Sequence, residues 1–551
     1  MNKKSESIQH TQSVAQTPIG ISKDPFDLVG STIAPEDPST NHANPLQQSI
    51  SPFEVIENDE FDEQRDPEIT IQLLWSYRSV ILVCLMISFG GFLFGWDTGS
   101  ISGIIALPSF EHKLGNYDPK TNDYHIGTVV HGLLVGCYHI GCIIGGFTLV
   151  RLSDFKGRRL PILICLVIYI TGNTIQATTS RSGKWYQFMI GRFVSGLCIG
   201  SLGSLLPIFI SELSPAVIRG SLTTLYLLLN TTGIMLGAIV IYLLKNAFDD
   251  NTAWIICLCV PIGVAMLVFI GILKAPESAR FLISIGDIDG ATKSLKRIGE
   301  SNIEETIASM QAKFAVESKA DEMGYFQMLT NKRYTKRLFT GVMVMFLQQM
   351  SGIDYFFYFG TQLFFSVGLN DSYVTMIILA TVNYFTTWAV MYVVERFGRK
   401  KTLLVGSAAC FSTLMVYAIV GVTMVDLDAD ASGNRTPGYI MITFTCIYII
   451  VFGCTWAGCG QVVVTEMFPL QIRSKGVSVS IAFNWGANFF IAFCTPIVTA
   501  EIHYYFGLVF AGCMFVSFWF VLFFVPETKG ISLEEIDGLY EKKGQLQSDN
   551  V

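Results

Sequence analysis

The chain has 551 residues, of which 51% are hydrophobic and 15% charged, with a mean hydropathy of +0.47. A soluble domain carries about a quarter charged residues, so this composition argues against a water-soluble enzyme and for a bilayer as solvent. The formal net charge of −7 comes largely from acids ahead of Arg78, and without a basic face the chain lacks the footprint of a nucleic-acid partner.

Residues 1–77 are polar and rich in Ser, Pro and acids. A signal peptide needs an apolar run directly after its charged start, and none is present. This stretch is expected to be a disordered cytoplasmic tail. A hydrocarbon core about 30 Å thick then requires roughly 20 apolar residues per helix. Such runs lie at 79–98, 126–150, 160–179, 186–210, 220–245 and 253–273, giving a first bundle over 78–273. A charged linker follows at 274–337, expected on the cytoplasmic side. Further runs lie at 338–366, 373–394, 402–425, 438–463, 476–500 and 503–525, giving a second bundle over 338–527 and a cytoplasmic tail at 528–551. The pattern predicts an all-α membrane protein with twelve transmembrane helices in two groups of six.

Loop charge fixes the orientation. One set of connections carries Arg151, Lys156, Arg158, Arg159, Arg219, the basic residues of 274–337, Arg396, Arg399, Lys400, Lys401, Arg473 and Lys475. The opposite loops carry few. By the positive-inside rule both termini are cytoplasmic. The sequons at Asn370 and Asn434 then fall in outward loops and are glycosylation candidates, with Pro437 shortly after the second.

All 13 cysteines lie within hydrophobic runs, which fits packing rather than a disulfide framework. Cys257 and Cys259 have no second pair of ligands beside them, so no metal is expected. No G-x-x-x-x-G-K-[ST] loop occurs, which argues against ATP-driven pumping. No cofactor is predicted. His131 and His139 share a face of the second run and are expected to pack or to border a cavity.

The halves echo each other at an offset of roughly 250 residues. SDFKGRR from Ser153 answers VERFGRK from Val394; SELSPAVIRG from Ser211 answers TEMFPLQIRSKG from Thr465; PESARF from Pro276 answers PETKG from Pro526. Orientation alone explains the arginines of these boxes but not the acids beside them. The expectation is a cytoplasmic gate built from Asp154, Arg158, Arg159, Glu212, Arg219, Glu277, Arg280, Glu395, Arg399, Glu466 and Arg473, pairing across the halves when shut.

Polar groups inside spans are rare and usually face a cavity. Gln348, Gln349 and Asp354 lie in the seventh run, Asn383 in the eighth, Trp456 in the tenth, and Asn484 and Trp485 in the eleventh. Amides offer both donor and acceptor to hydroxyls, and tryptophan offers a flat apolar face, so the set points to a sugar.

The ordered boxes, with GGFLFGWDTGSISG from Gly90 and FFYFGTQLFF from Phe356, resemble the sugar porter family of the major facilitator superfamily over about Arg78 to Asp537, and its fungal hexose transporters in particular. The resemblance implies the major facilitator fold, alternating access around a central site, and short helices in the linker. It also implies sugar contacts at Gln348, Gln349, Asn383, Trp456 and Asn484. Asp354 stands where the family usually has Asn, and Leu227 where it has Gln; Asn230, nearly a turn on, is a substitute for the lost amide. Smaller departures are Phe209, Ala279, Glu395 and Gly458. Asp97 and Arg192 match the Asp–Arg pair of a bacterial xylose–proton symporter, so Asp97, Arg192 and Asp354 are proton-coupling candidates. Facilitated diffusion of a monosaccharide such as glucose or fructose is placed ahead of proton symport. The alternative from another class is a non-transporting sugar sensor, disfavoured by the short C-terminal tail. A plasma-membrane location and function as a monomer are expected.

Overall fold

The computed structural model describes residues 77–119, 122–215, 218–300, 302–319, 324–365, 372–425, 436–469 and 472–529. The two expected tails lie almost wholly outside these residues, as do Asn370, Asn434 and the side chain of Glu395.

The first half opens with α1 (Arg78–Ile105), followed by the short α2 (Pro108–Leu114) and an antiparallel hairpin of β1 (Asn116–Asp118) and β2 (Asp123–His125). The hairpin was not expected from the sequence. Its Tyr117 and Tyr124 are cross-strand partners with ring centroids 5.4 Å apart. Long apolar helices then alternate direction: α3 (Thr128–Lys156), α4 (Arg159–Ser182), α5 (Trp185–Leu213), α6 (Arg219–Ala247) and α7 (Thr252–Lys274). Close approach here depends on small residues, as expected where lipid removes the hydrophobic drive between helices. A Cβ on Gly95 of α1 would run into the Asn230 carbonyl oxygen of α6.

Four short helices follow, α8 (Ala279–Ser284), α9 (Ile288–Ile298), α10 (Ile303–Lys319) and α11 (Tyr325–Thr330). Ser278 and Asp287 cap the first two by accepting from the amides of Phe281 and Gly290. The second half comprises α12 (Lys332–Gln349), α13 (Ile353–Phe365), α14 (Ser372–Phe397), α15 (Arg399–Met424), α16 (Thr436–Phe452), α17 (Gly458–Met467), α18 (Arg473–Ile502) and α19 (Phe506–Phe524). A five-residue π turn, Gly453–Ala457, joins α16 to α17.

Among the described residues, ten stretches are long and apolar enough to cross a membrane. One of them, Arg473–Phe524, turns back at His503–Tyr505 and holds two crossings. The remaining crossing is α12 with α13. The sequence predicts a continuous helix over 338–366, and the structure corrects this. Gly352 has φ 88°, a conformation that suits glycine, and breaks the helix. The Ser351 carbonyl lies at this break and accepts from the Tyr448 hydroxyl at 2.9 Å, which makes the break tolerable inside a bilayer. Large apolar side chains such as Leu82, Val167, Phe385, Val405 and Phe523 remain on the outer surface, where lipid would cover them.

Candidate functional site

The end of the molecule carrying the charged boxes is built twice. Arg158 pairs with Glu212, Nη2 to Oε1 at 3.2 Å, and Arg399 pairs with Glu466 at 2.7 Å. Glu277 accepts from the backbone N–H of Arg158 at 2.8 Å, and Glu527 from that of Arg399, also at 2.8 Å. Each carboxylate thus caps a helix N-terminus, where orphan amides and the helix dipole favour an anion. Arg159 donates to the last carbonyls of α7 and Lys400 to that of Leu522 near the end of α19. Arg219 and Arg473 donate to the carbonyls of Ser214 and Phe468. Asp154 adds a more exposed contact to Arg158 at 3.4 Å, and Arg280 is exposed at the start of α8. The ion pairs described here tie helices within one half. Burial pushes the Glu527 carboxyl upward, but the amides of Arg399, Lys529, Lys400 and Thr528 outweigh it and hold the group below its usual range.

Between the halves lies a cavity of about 330 Å³, a size that suits a small ligand. Of the predicted sugar contacts, Asn230, Gln348, Gln349, Asp354, Asn383, Asn484 and Trp485 line it. Trp456 does not. It is fully buried behind the wall, and its indole N–H donates to Ser407 at 3.1 Å. Leu227 reaches the cavity from α6, as do Gln461 from α17 and Asn488 from α18, neither of which the sequence reading picked out.

Several of these amides already have partners in the protein. Gln348 donates to the carbonyls of Trp456 at 2.8 Å and Ala457 at 3.2 Å, steadying the π turn. Asn484 donates to the Met345 carbonyl at 2.9 Å and to Gln348 Oε1 at 3.0 Å. Gln349 donates to Asp354. By contrast Oδ1 of Asn230 and of Asn488 are buried without a partner. Aromatic faces complete the wall. Trp485 stands edge-on to Phe94 of the other half, centroids 5.6 Å apart, with Phe357 and Tyr358 also on the lining.

Comparison with known proteins bears on what this cavity serves. The profile of the family described as sugar (and other) transporter matches residues 83–540. The chain belongs to this family. The hexose transporter HXT11 of Saccharomyces cerevisiae is 40% identical over 481 residues, 85% of this chain and 83% of that protein. The low-affinity glucose transporter HXT3 of the same yeast is 38% identical over 522 residues, 92% of this chain and 91% of that one. The inward open conformation of the xylose transporter XylE from E. coli shares the fold at a TM-score of 0.70 and 24% identity, over 84% of this chain and 99% of that one. A transporter reading therefore stands over a sensor, and members of the family are not enzymes.

In this transporter the residues matched to a proton site sit apart from the cavity. Asp97 and Arg192 are buried inside the first half. The Asp97 carboxylate accepts from the Tyr138 hydroxyl at 3.4 Å, while the Arg192 guanidinium lies 4.3 Å over the Tyr138 ring. The two groups thus share Tyr138, with no ion pair of 4.0 Å or less between them among the described residues. Other contacts hold the halves together toward the hairpin end. His139 bonds the Tyr358 hydroxyl at 3.0 Å, Tyr373 donates to the Gly103 carbonyl at 3.0 Å, Ser102 bonds Thr361, and the His131 ring packs tilted against Phe359. Both histidines act as inter-half contacts, close to the packing role expected of them.

Proposed function

We propose that this transporter carries a hexose such as glucose or fructose across the plasma membrane by alternating access, as a monomer with both termini cytoplasmic. The observation that carries the reading is the cavity between the halves. It combines unpartnered amide oxygens, which can accept from hydroxyls, with aromatic faces for the apolar side of a sugar ring. Relatives named as hexose and glucose transporters support the substrate class. With the basic loops inside, the contacts at the hairpin end close the outer side, and the state is inward-facing. The arginine–carboxylate clusters then act as rigid stops, keeping each half intact while the two rock about the site.

Facilitated diffusion is the preferred mode. Proton symport is the second reading, favoured by one observation, the Asp354 carboxylate on the cavity wall. Uptake of labelled glucose, fructose, galactose and xylose in a transporter-null yeast, with external pH recorded, separates the two. Uptake that equilibrates without a pH change supports the facilitator. Sugar-induced alkalinisation, lost in Asp97→Asn or Asp354→Asn, establishes symport. No uptake despite surface expression overturns the proposal.

A further inference from the structure

Asp354 brings a carboxyl group into a cavity otherwise lined by neutral side chains. Among the described lining residues it is the single carboxyl group, and the other titratable ones are the phenols of Tyr226 and Tyr358. It is 8% exposed, and the amides of Gln349 and Asn488 hydrogen-bond to it. The ion pairs described in this transporter all lie at the charged end, away from it. Its polar surroundings are rich in acceptors. Asn488 Oδ1, on a side chain 4% exposed, is without a partner, and so is Asn230 Oδ1. The amide donors of Gln348 and Asn484 are committed to carbonyls and to Gln348 Oε1.

A wall with one carboxylate and open amide oxygens beside it is matched by a ligand that brings both N–H donors and positive charge. A neutral hexose supplies hydroxyl protons but leaves the carboxylate uncompensated. An ammonium supplies three donors and the missing charge, and hydrogen bonds between ionised partners are roughly twice as strong as neutral ones. We propose that the cavity takes cationic amino sugars, hexoses in which an ammonium replaces one hydroxyl, in preference to neutral hexoses, with the ammonium held by Asp354. The inference rests on the reading of the cavity as the sugar site. The expected preference is about tenfold in Kd, the scale of one additional charge-assisted hydrogen bond.

The test is binding to the purified full-length transporter in detergent at neutral pH, followed by intrinsic tryptophan fluorescence, since Trp485 lies on the cavity wall. The probes are glucose and its 2-amino, 3-amino and 6-amino deoxy derivatives. At least one amino sugar is expected to bind about tenfold tighter than glucose, to lose that advantage in Asp354→Asn, and to keep it in Asp354→Glu. Amino sugars that bind no tighter than glucose to the native chain overturn the inference, as does an advantage that survives Asp354→Asn. In either case, glucose binding would leave the sugar-site reading standing. Binding of none of the four sugars overturns both.

Discussion

Replacing Gln348 by Ala distinguishes a structural amide from a ligand amide. The side chain makes three hydrogen bonds within the protein: two donated to the π turn and one accepted from Asn484. Each has a net worth of about 1 kcal/mol, and a carbonyl left unsatisfied away from water costs about 1–3 kcal/mol. Water in the cavity would replace part of this, so the loss of stability is expected to be about 2–3 kcal/mol. Gln348→Glu should be worse at neutral pH, because it turns a carboxylate oxygen toward the carbonyls of Trp456 and Ala457 in place of the donor. The assay is thermal unfolding of the purified protein in detergent, with sugar binding measured alongside. The predicted order of stability is native, then Ala, then Glu. An unchanged Tm in Gln348→Ala with only sugar binding lost would refute the reasoning and return Gln348 to the purely ligand role that the sequence suggested.

Trp456→Phe removes the bond to Ser407 and should cost about 1 kcal/mol of stability with little change in glucose affinity, whereas Trp485→Ala should weaken glucose binding; paired unfolding and binding curves check both. Gly95→Ala forces a methyl into the Asn230 carbonyl and should abolish folded expression, whereas Gly263→Ala, with open space around it, should express normally in a fluorescence size-exclusion assay. The Glu527 carboxyl is held below its usual range in the folded state, so its stabilising contribution is present at neutral pH and lost as pH falls through the depressed value. Unfolding temperatures measured down the acid limb should therefore fall less steeply in Glu527→Gln than in the native protein.

Much of this architecture is legible in sequence because the bilayer imposes it. Twenty-residue apolar runs and the asymmetry of basic loops follow directly from the solvent, and the repeated boxes around Arg158 and Arg399 announced two equivalent halves. What those boxes do was harder to read. A pattern of Arg and Glu does not say which helix supplies the partner, and the described pairs close within a half. The break at Gly352 is invisible to hydropathy, because one glycine in an apolar run changes the mean little while its φ changes the path of the chain. The cavity was legible as a set of amides, less so in detail. The set of span residues and the family resemblance point to Trp456, but its indole turns to Ser407 and off the lining. Gln461 and Asn488 carry the same signal, a polar side chain in a span, that points to Gln348 and Asn484. The β1–β2 hairpin is three residues a side, too short for any periodicity.

The central claim, that the cavity between the halves passes sugar alternately to each side, is tested most directly by counterflow. Proteoliposomes loaded with unlabelled glucose and diluted into a trace of labelled glucose should accumulate the label transiently above equilibrium, and Trp485→Ala should reduce the overshoot. Vesicles that hold correctly folded protein yet neither fill nor exchange would contradict the account.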